Sequence, residues 1–505
     1  MEQPFLEVKH VSKSYAGVRA LDDVEIAIRQ GEIHCLVGEN GSGKSTLIKI
    51  IAGVVKADSG EITINEKPYT HLHAIDAIRE GIQIIYQDLS LFPNLTVAEN
   101  ISLNQEIERN SKLINLREMR EIAKNALAGI GEALDLDERV ENISVAKKQL
   151  IAISRALTQD AKLIIMDEPT SSLTKDEIDR LFSVITGLKK RGISTLFVSH
   201  KLSEVFEISE CVTILRDGKL VGCYETGELD NDRLVFLMTG KKIETVPFAY
   251  DSGKKKERPL LEVKNLHKKG QFRDISFELR RGEILGITGL LGSGRTELAL
   301  SLFGLNRADE GEIRIHGKEV RINSTEDAIN AGISYLPEDR LNQGLFINQP
   351  ISNNIIITII KKILNRLRLI SKEQKEKSVK KLVDDLSIKT PTIEAPVQSL
   401  SGGNQQRVVL AKWLATNPQI FILDGPTIGV DIASKSTIHG IIRDFAGQGM
   451  GIILISDEIP EVLQNCNRIL VMSRGKIIEE IKDTTSISEE DLFNIVSGKA
   501  LNEAV

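Results

Sequence analysis

The chain has 505 residues and a formal net charge of −6, with 41% apolar and 27% charged residues. That length exceeds what one hydrophobic core usually serves, so two or more domains are expected, and the acidic balance argues against a nucleic-acid partner. The four cysteines (Cys35, Cys211, Cys223 and Cys466) are scattered with no CxxC pair, which argues against a metal site or disulfide framework and suits a reducing cytosol.

The opening MEQPFLEVKHVSKSY lacks the apolar stretch of a signal peptide. IHCLVG (33–38) is a short buried-strand pattern. It runs into GENGSGKS (38–45), which fits G-x-x-x-x-G-K-[ST], and a helical pattern follows. Glycines let backbone N–H groups wrap phosphates, and the helix start adds partial positive charge. Gly38, Glu39, Asn40, Gly41, Ser42, Gly43, Lys44, Ser45 and Thr46 are therefore the expected phosphate cradle. Lys44 is expected to reach the β- and γ-phosphates and Ser45 to ligate Mg²⁺.

IQIIY (82–86) is a second strand pattern, ending at Gln87. By itself Gln87 reads as a surface polar residue. The following DLSLFPNLTVAEN (88–100) is expected to expose Leu91, Phe92 and Leu95. Leu116, Met119, Ala123, Ala126, Leu127 and Ile130 keep a helical stripe, which predicts an amphipathic helix over 116–130. LIIMDEPT (163–170) is an apolar strand ending in acids. Asp167 fits a Mg²⁺-holding carboxylate and Glu168 a general base for an attacking water. TLFVSH (195–200) is a fourth strand pattern; alone, its His200 reads as a satisfied strand-end histidine.

The second half repeats the first. LEVKHVS (6–12) returns as LEVKNLH (261–267), QGEIHCLVGENGSGKSTL (30–47) as RGEILGITGLLGSGRTEL (281–298), and MDEPT (166–170) as LDGPT (423–427). The offset stays between 251 and 257 residues and block order is kept, which marks a domain duplication rather than a solenoid. The expected division is 1–240 and 259–505, joined by a charged, aperiodic linker at 241–258. Each half alternates strand and helix patterns, giving an α/β fold class: two tandem P-loop domains, each with an α/β core and a helical subdomain. The strongest apolar run, IIITII (355–360), is flanked by Asn353, Asn354, Lys361 and Lys362 and is too short to span a membrane.

LSGGNQQRVVLAKWL (400–414) opens a helical pattern with Ser401, Gly402, Gly403 and Asn404. Small residues at a helix start suit anion binding; the plain alternative is a glycine-rich N-cap. A phosphate loop, Gln87, LSGGN, MDEPT and a terminal histidine, in combination, resemble the nucleotide-binding domains of ABC ATPases. The tandem layout, LSGGNQQRVVLAKWL and PEDR (337–340) resemble the ATP-binding subunits of monosaccharide importers of the ribose/galactose type.

The resemblance implies ATP and Mg²⁺ as cofactors, with Ser45, Gln87 and Asp167 at the metal and Lys44, Gln87, Glu168 and His200 catalytic. It implies that Tyr15 stacks on adenine and that Asp431 faces the other half. The halves would pair head to tail, each ATP lying between one phosphate loop and the other half's signature. Partners would be two membrane-spanning permease subunits and, through them, an extracytoplasmic sugar-binding protein; the chain would sit peripherally on the cytoplasmic face of the membrane.

On this pattern, one composite site is complete: the first phosphate loop with Ser401, Gly402, Gly403 and Asn404. The other is degraded. Arg295 replaces Lys44, Glu338 replaces Gln87, Gly425 replaces Glu168, Asp457 replaces His200 and Gly270 replaces Tyr15. Its signature reads Ile143-Ser144-Val145-Ala146-Lys147, and Thr174 matches Asp431. Two other functions fit parts of the sequence: a soluble tandem ATPase acting on ribosomes, against which the short linker counts, and a non-hydrolysing ATP-binding scaffold, against which the complete site counts.

Overall fold

The computed structural model describes residues 3–15, 17–109, 115–170, 173–199, 201–241, 258–365 and 368–498. His200 and most of the 241–258 segment lie outside them. Contacts divide the chain into two units, Met1–Ile243 and Glu244–Val505.

In the first unit a six-stranded sheet runs Lys219–Glu225, Cys211–Arg216, Ile33–Gly38, Ser194–Val198, Leu163–Asp167, Ile82–Ile85. All neighbours are parallel except the Lys219–Glu225 edge strand. Ile33–Gly38 is buried along its whole length, as a central strand covered on both faces must be. An antiparallel four-stranded sheet packs beside it, led by Pro4–Tyr15 and Val18–Arg29. Leu6, Val8, Leu21, Leu36, Leu47, Ile51 and Leu163 fill the core with which both sheets are lined. The helices Val97–Arg109, Leu116–Ala128 and Val145–Leu157 form a subdomain with its own small core around Val97, Ile101, Ala123, Leu127 and Ile151.

The second unit repeats this plan: Ile333–Leu336, Ile420–Asp424, Gly451–Ile455, Ile284–Thr288, Arg468–Ser473, Lys476–Ile481 in the six-stranded sheet, and the helices Ile351–Ile356, Lys372–Asp385 and Gly402–Leu414 in the helical subdomain. The α/β class with a helical subdomain in each half is thus observed. The expected helix over 116–130 ends at Ala128, with Gly129 as its C-cap and Gly131 turning left-handed at φ 76° just beyond. The strand expected at 195–200 spans Ser194–Val198. No helix among the described residues is long and apolar enough to cross a membrane.

All four cysteines are free thiols. The cysteines are distant in sequence, yet the adjacent strands Cys211–Arg216 and Lys219–Glu225 bring the Cys211 and Cys223 sulfurs to 2.7 Å. Sequence spacing carries no record of which residues a sheet register will oppose.

Candidate nucleotide site

The first phosphate loop leaves the C-terminal end of the central strand, where open α/β sheets place ligands. It ends on the helix Lys44–Ile51, capped by Gly43 at φ 101°. A Cβ at Gly43 would lie 2.6 Å from the Ala20 carbonyl oxygen and the Leu21 side chain. At Gly38 it would lie 2.2 Å from the Leu215 oxygen. Both positions therefore require glycine, on steric grounds independent of any ligand. Lys44 is buried, and its Nζ donates to the carbonyls of Gly38 at 2.7 Å and Glu39 at 3.0 Å. The ammonium holds the loop in shape from inside. The Ser42 hydroxyl is buried without a hydrogen-bond partner among the described residues. An orphaned hydroxyl in a glycine cradle at a helix start fits an anionic ligand. Asn40, Gly41 and Ser45 are exposed, Thr46 half-buried.

Asp167 ends its strand half-buried, followed by Glu168 in the left-handed region at φ 49°. Non-glycine residues held there carry strain that the surroundings must offset. Burial raises the Asp167 carboxyl above its ordinary value; Glu168 adds to this, and Lys44 and Lys49 oppose it. A carboxylate under that pressure fits a divalent cation, which removes the penalty. Tyr15 is 44% exposed, with Lys13 Nζ 5.5 Å above its ring.

The sequence reading missed a buried latch behind these groups. Glu204 accepts hydrogen bonds from Thr170 Oγ1 and Ser199 Oγ, both at 2.7 Å, and pairs with Lys201 at 3.2 Å. Thr170 lies two residues beyond Glu168, and Ser199 immediately precedes His200. One carboxylate thus ties together the two loops that carry the acid and the histidine. Its only sequence signal is an acid one helical turn after His200.

Gln87 is exposed, and behind it Leu89 and Ser90 both adopt positive φ, 59° and 44°. Arg155, on the helix Val145–Leu157, donates to the carbonyls of Ser90 at 2.8 Å and Leu89 at 3.3 Å. Of the apolar residues expected to be exposed here, only Phe92 is so, at 48%; Leu91 and Leu95 are half-buried, and Leu91 packs on the small helical core. Phe92 is pinned by the buried Asn100, which accepts from its N–H at 2.9 Å and donates to its carbonyl at 3.0 Å.

In the second unit the signature helix Gly402–Leu414 starts at Ser401, whose side chain makes no capping bond. Asn404 Nδ2 donates to Ser401 Oγ at 3.0 Å. A Cβ at Gly403 would lie 2.2 Å from Ser434 Oγ, and one at Gly402 3.0 Å from Arg340. Both glycines therefore also serve close packing. Asp431 caps its own helix, accepting from Ser434 N at 2.8 Å; Thr174, at the matching position, caps a helix too. Arg340, of the PEDR motif, donates to the carbonyls of Ile428 at 2.6 Å and Gly429 at 3.1 Å, so the motif braces the loop beside the signature.

The ABC transporter family pattern matches residues 21–171 and 272–428. The chain belongs to this family. It is a tandem ABC ATPase, with one nucleotide-binding fold in each unit. It is 42% identical over 490 residues to the ribose import ATP-binding protein RbsA of Clostridium tetani, covering 97% of both chains. It is 43% identical to that of Clostridium perfringens, covering 98% of both, and 40% identical to a putative ribose/galactose/methyl galactoside import ATP-binding protein of Pseudomonas syringae pv. tomato, covering 98% of this chain and 93% of that one.

The second unit's own phosphate loop borders a cavity of ≈ 260 Å³ lined by Arg295, Thr296, Glu338, Asp424, Gly425 and Asp457 among others. Arg295 Nη1 is buried without a hydrogen-bond partner among the described residues. Burial pulls this guanidinium below its ordinary value, against the fields of Asp457, Asp424, Glu338 and Glu297. Asp424 is pushed up to about 6, first by burial, with Glu338 adding and bonds from Thr296 and Tyr335 opposing. Gly425 takes φ 55°, the same turn as Glu168, but a Cβ there would meet Ile428 Cδ1 at 2.4 Å. Ser171 stands in the first half at the place of Ile428. The second unit has therefore lost the acid and filled its space.

Proposed function

We propose that the chain is the energy-coupling subunit of an importer for a monosaccharide of the ribose/galactose type, hydrolysing ATP at one of two unequal sites. The competent site pairs the first phosphate loop, with Asp167 and Glu168, head to tail with Ser401, Gly402, Gly403 and Asn404. Lys44 and the signature N–H groups neutralise charge developing on the transferring phosphoryl group. Glu168 holds the attacking water and takes its proton, with His200 positioning. Ser45, Gln87 and Asp167 would hold Mg²⁺, which when bound draws charge from the phosphate oxygens. A site completed only by closure of the two halves lets ATP favour the closed state and hydrolysis release it.

The single observation that carries the reading is the matched pair of turns. Glu168 and Gly425 share a positive φ, 49° and 55°, but only the first presents a carboxylate, next to the Asp167 that feels Lys44 of the phosphate loop. The second site then binds nucleotide without turning it over: glycine cannot orient water, while Arg295 retains a charge for phosphate. Glu168→Gln is expected to abolish phosphate release and Arg295→Ala to leave a substantial fraction; equal loss from both would refute the asymmetry.

Closure would be passed to two membrane-spanning permease subunits, and through them to an extracytoplasmic sugar-binding protein, with this chain peripheral on the cytoplasmic face. Two exposed phenylalanines support that arrangement. Phe346 is 58% exposed and is held by the buried Asn354 with the geometry of Phe92 and Asn100, accepting at 2.8 Å and donating at 3.0 Å. Aromatic side chains fixed on the surface by buried amides are built for insertion into a partner's groove. Phe92→Asp is expected to abolish co-purification with the permease.

A further inference from the structure

The one cluster of three metal-binding side chains among the described residues lies outside the nucleotide machinery. His34 and Cys211 are register partners on adjacent parallel strands, and Cys223 lies on the next strand, opposite Thr213. One ligand atom from each of His34, Cys211 and Cys223 falls within 4.8 Å of the others. His34 is fully buried, Cys211 partly exposed and Cys223 exposed. The imidazole is oriented as metal-bound histidines are, with a carboxylate behind it: Glu32 Oε1 lies 3.0 Å from Nδ1. That leaves Nε2 facing Thr213 Oγ1 at 2.7 Å, and Thr213 is the register partner of Cys223.

We propose that His34, Cys211 and Cys223 bind one zinc ion. Two thiolates and an imidazole select a thiophilic, borderline-soft ion over Mg²⁺. Tetrahedral zinc with bonds of about 2.3 Å to sulfur places its two sulfurs about 3.7 Å apart. The 2.7 Å thiol pair must therefore open by about 1 Å, a movement the exposed Cys223 side chain supplies. Water completes the coordination on the Cys223 side, and the Thr213 hydroxyl gives up its place at Nε2. His34 precedes Gly38 by four residues of strand, about 13 Å, so the ion would staple the β-edge of the first unit without touching nucleotide.

The test uses the reduced full chain, free of nucleotide and Mg²⁺, titrated anaerobically with Co²⁺. One equivalent is expected to bind with thiolate-to-cobalt charge-transfer absorption in the near ultraviolet, displaced by Zn²⁺. Cys223→Ser, at an exposed position, is expected to weaken binding at least tenfold and to remove about half of that absorption. The exposed His71–His73 pair, with ring centroids 4.1 Å apart, gives no charge-transfer band and so does not mimic the result. In parallel, one equivalent of Zn²⁺ is expected to protect Cys211 and Cys223 from iodoacetamide. Absence of the band, an unchanged titration in Cys223→Ser, or labelling undiminished by zinc would each overturn the proposal.

Discussion

Glu204→Gln isolates the latch behind the proposed catalytic groups. The substitution keeps shape and removes charge. Glu204 is 3% exposed, and its Oε2 accepts from both Thr170 and Ser199 at 2.7 Å. Hydrogen bonds to a charged group contribute about 1.5–3 kcal/mol each against about 0.5–1.5 kcal/mol for neutral ones, and the amide oxygen of glutamine can still accept both, so losing the charge costs about 2–3 kcal/mol. For a domain of this size that lowers the Tm by about 4–12 °C. The catalytic effect is separate. Released loops let Glu168 and His200 drift, and a misplacement of about 1 Å costs on the order of 100-fold in rate. The expected outcome is a fall in kcat of about 10–100-fold with KM for ATP nearly unchanged, since the phosphate loop is untouched. The second unit supplies a matched control. Glu461 is equally buried, accepting from Thr427 Oγ1 at 2.7 Å and lying 2.7 Å from His439 Nε2. Glu461→Gln is expected to destabilise similarly while kcat of the assembled importer stays within about twofold, because the loops it ties carry Gly425 and Asp457. Calorimetry and phosphate release on both variants decide the matter. Equal loss of kcat in the two, or a fallen Tm with intact kcat in Glu204→Gln, would refute the positioning role.

Gly425→Glu is expected not to restore a second hydrolytic site: its Cβ would meet Ile428 Cδ1 at 2.4 Å, costing about 1–3 kcal/mol in overpacking, and the double variant with Ile428→Ser is expected to recover most of that in a denaturant titration. Asp424→Asn tests the raised carboxyl near 6. A carboxyl raised in the folded state stabilises most below its unfolded value near 4 and loses that contribution as pH rises to about 6, so the variant is expected to gain on the order of 2–3 kcal/mol at pH 7.5 and little at pH 4. Arg155→Met removes the donor to the strained Leu89 and Ser90 carbonyls; amide exchange across 89–92 is expected to accelerate about 10–100-fold, as loss of about 1.5–3 kcal/mol requires.

Much of the fold was legible because duplication prints the same strand and helix periods twice. The buried strand at 33–38, the phosphate loop and the acid-ended strand at 163–167 are local signals, each carried by a few consecutive residues. The roles of Gly402 and Gly403 in packing were not legible, because Arg340 and Ser434, which would meet their Cβ atoms, are far from them in sequence. Leu91 and Leu95 read as exposed because their neighbours in the chain are polar, whereas both are half-buried and Leu91 packs on the helical subdomain.

The sequence by itself determined the α/β architecture, the asymmetry between Lys44 with Glu168 and Arg295 with Gly425, and the family. These rest on residue identity and short-range periodicity, which the chain carries wherever it folds. Tertiary structure alone decided that Glu204 latches two loops, that Ile428 occupies the space of a lost carboxylate, and that His34, Cys211 and Cys223 converge. Each of those depends on which strands lie side by side and in what register, and sheet order is set by the packing of the whole unit rather than by any local stretch.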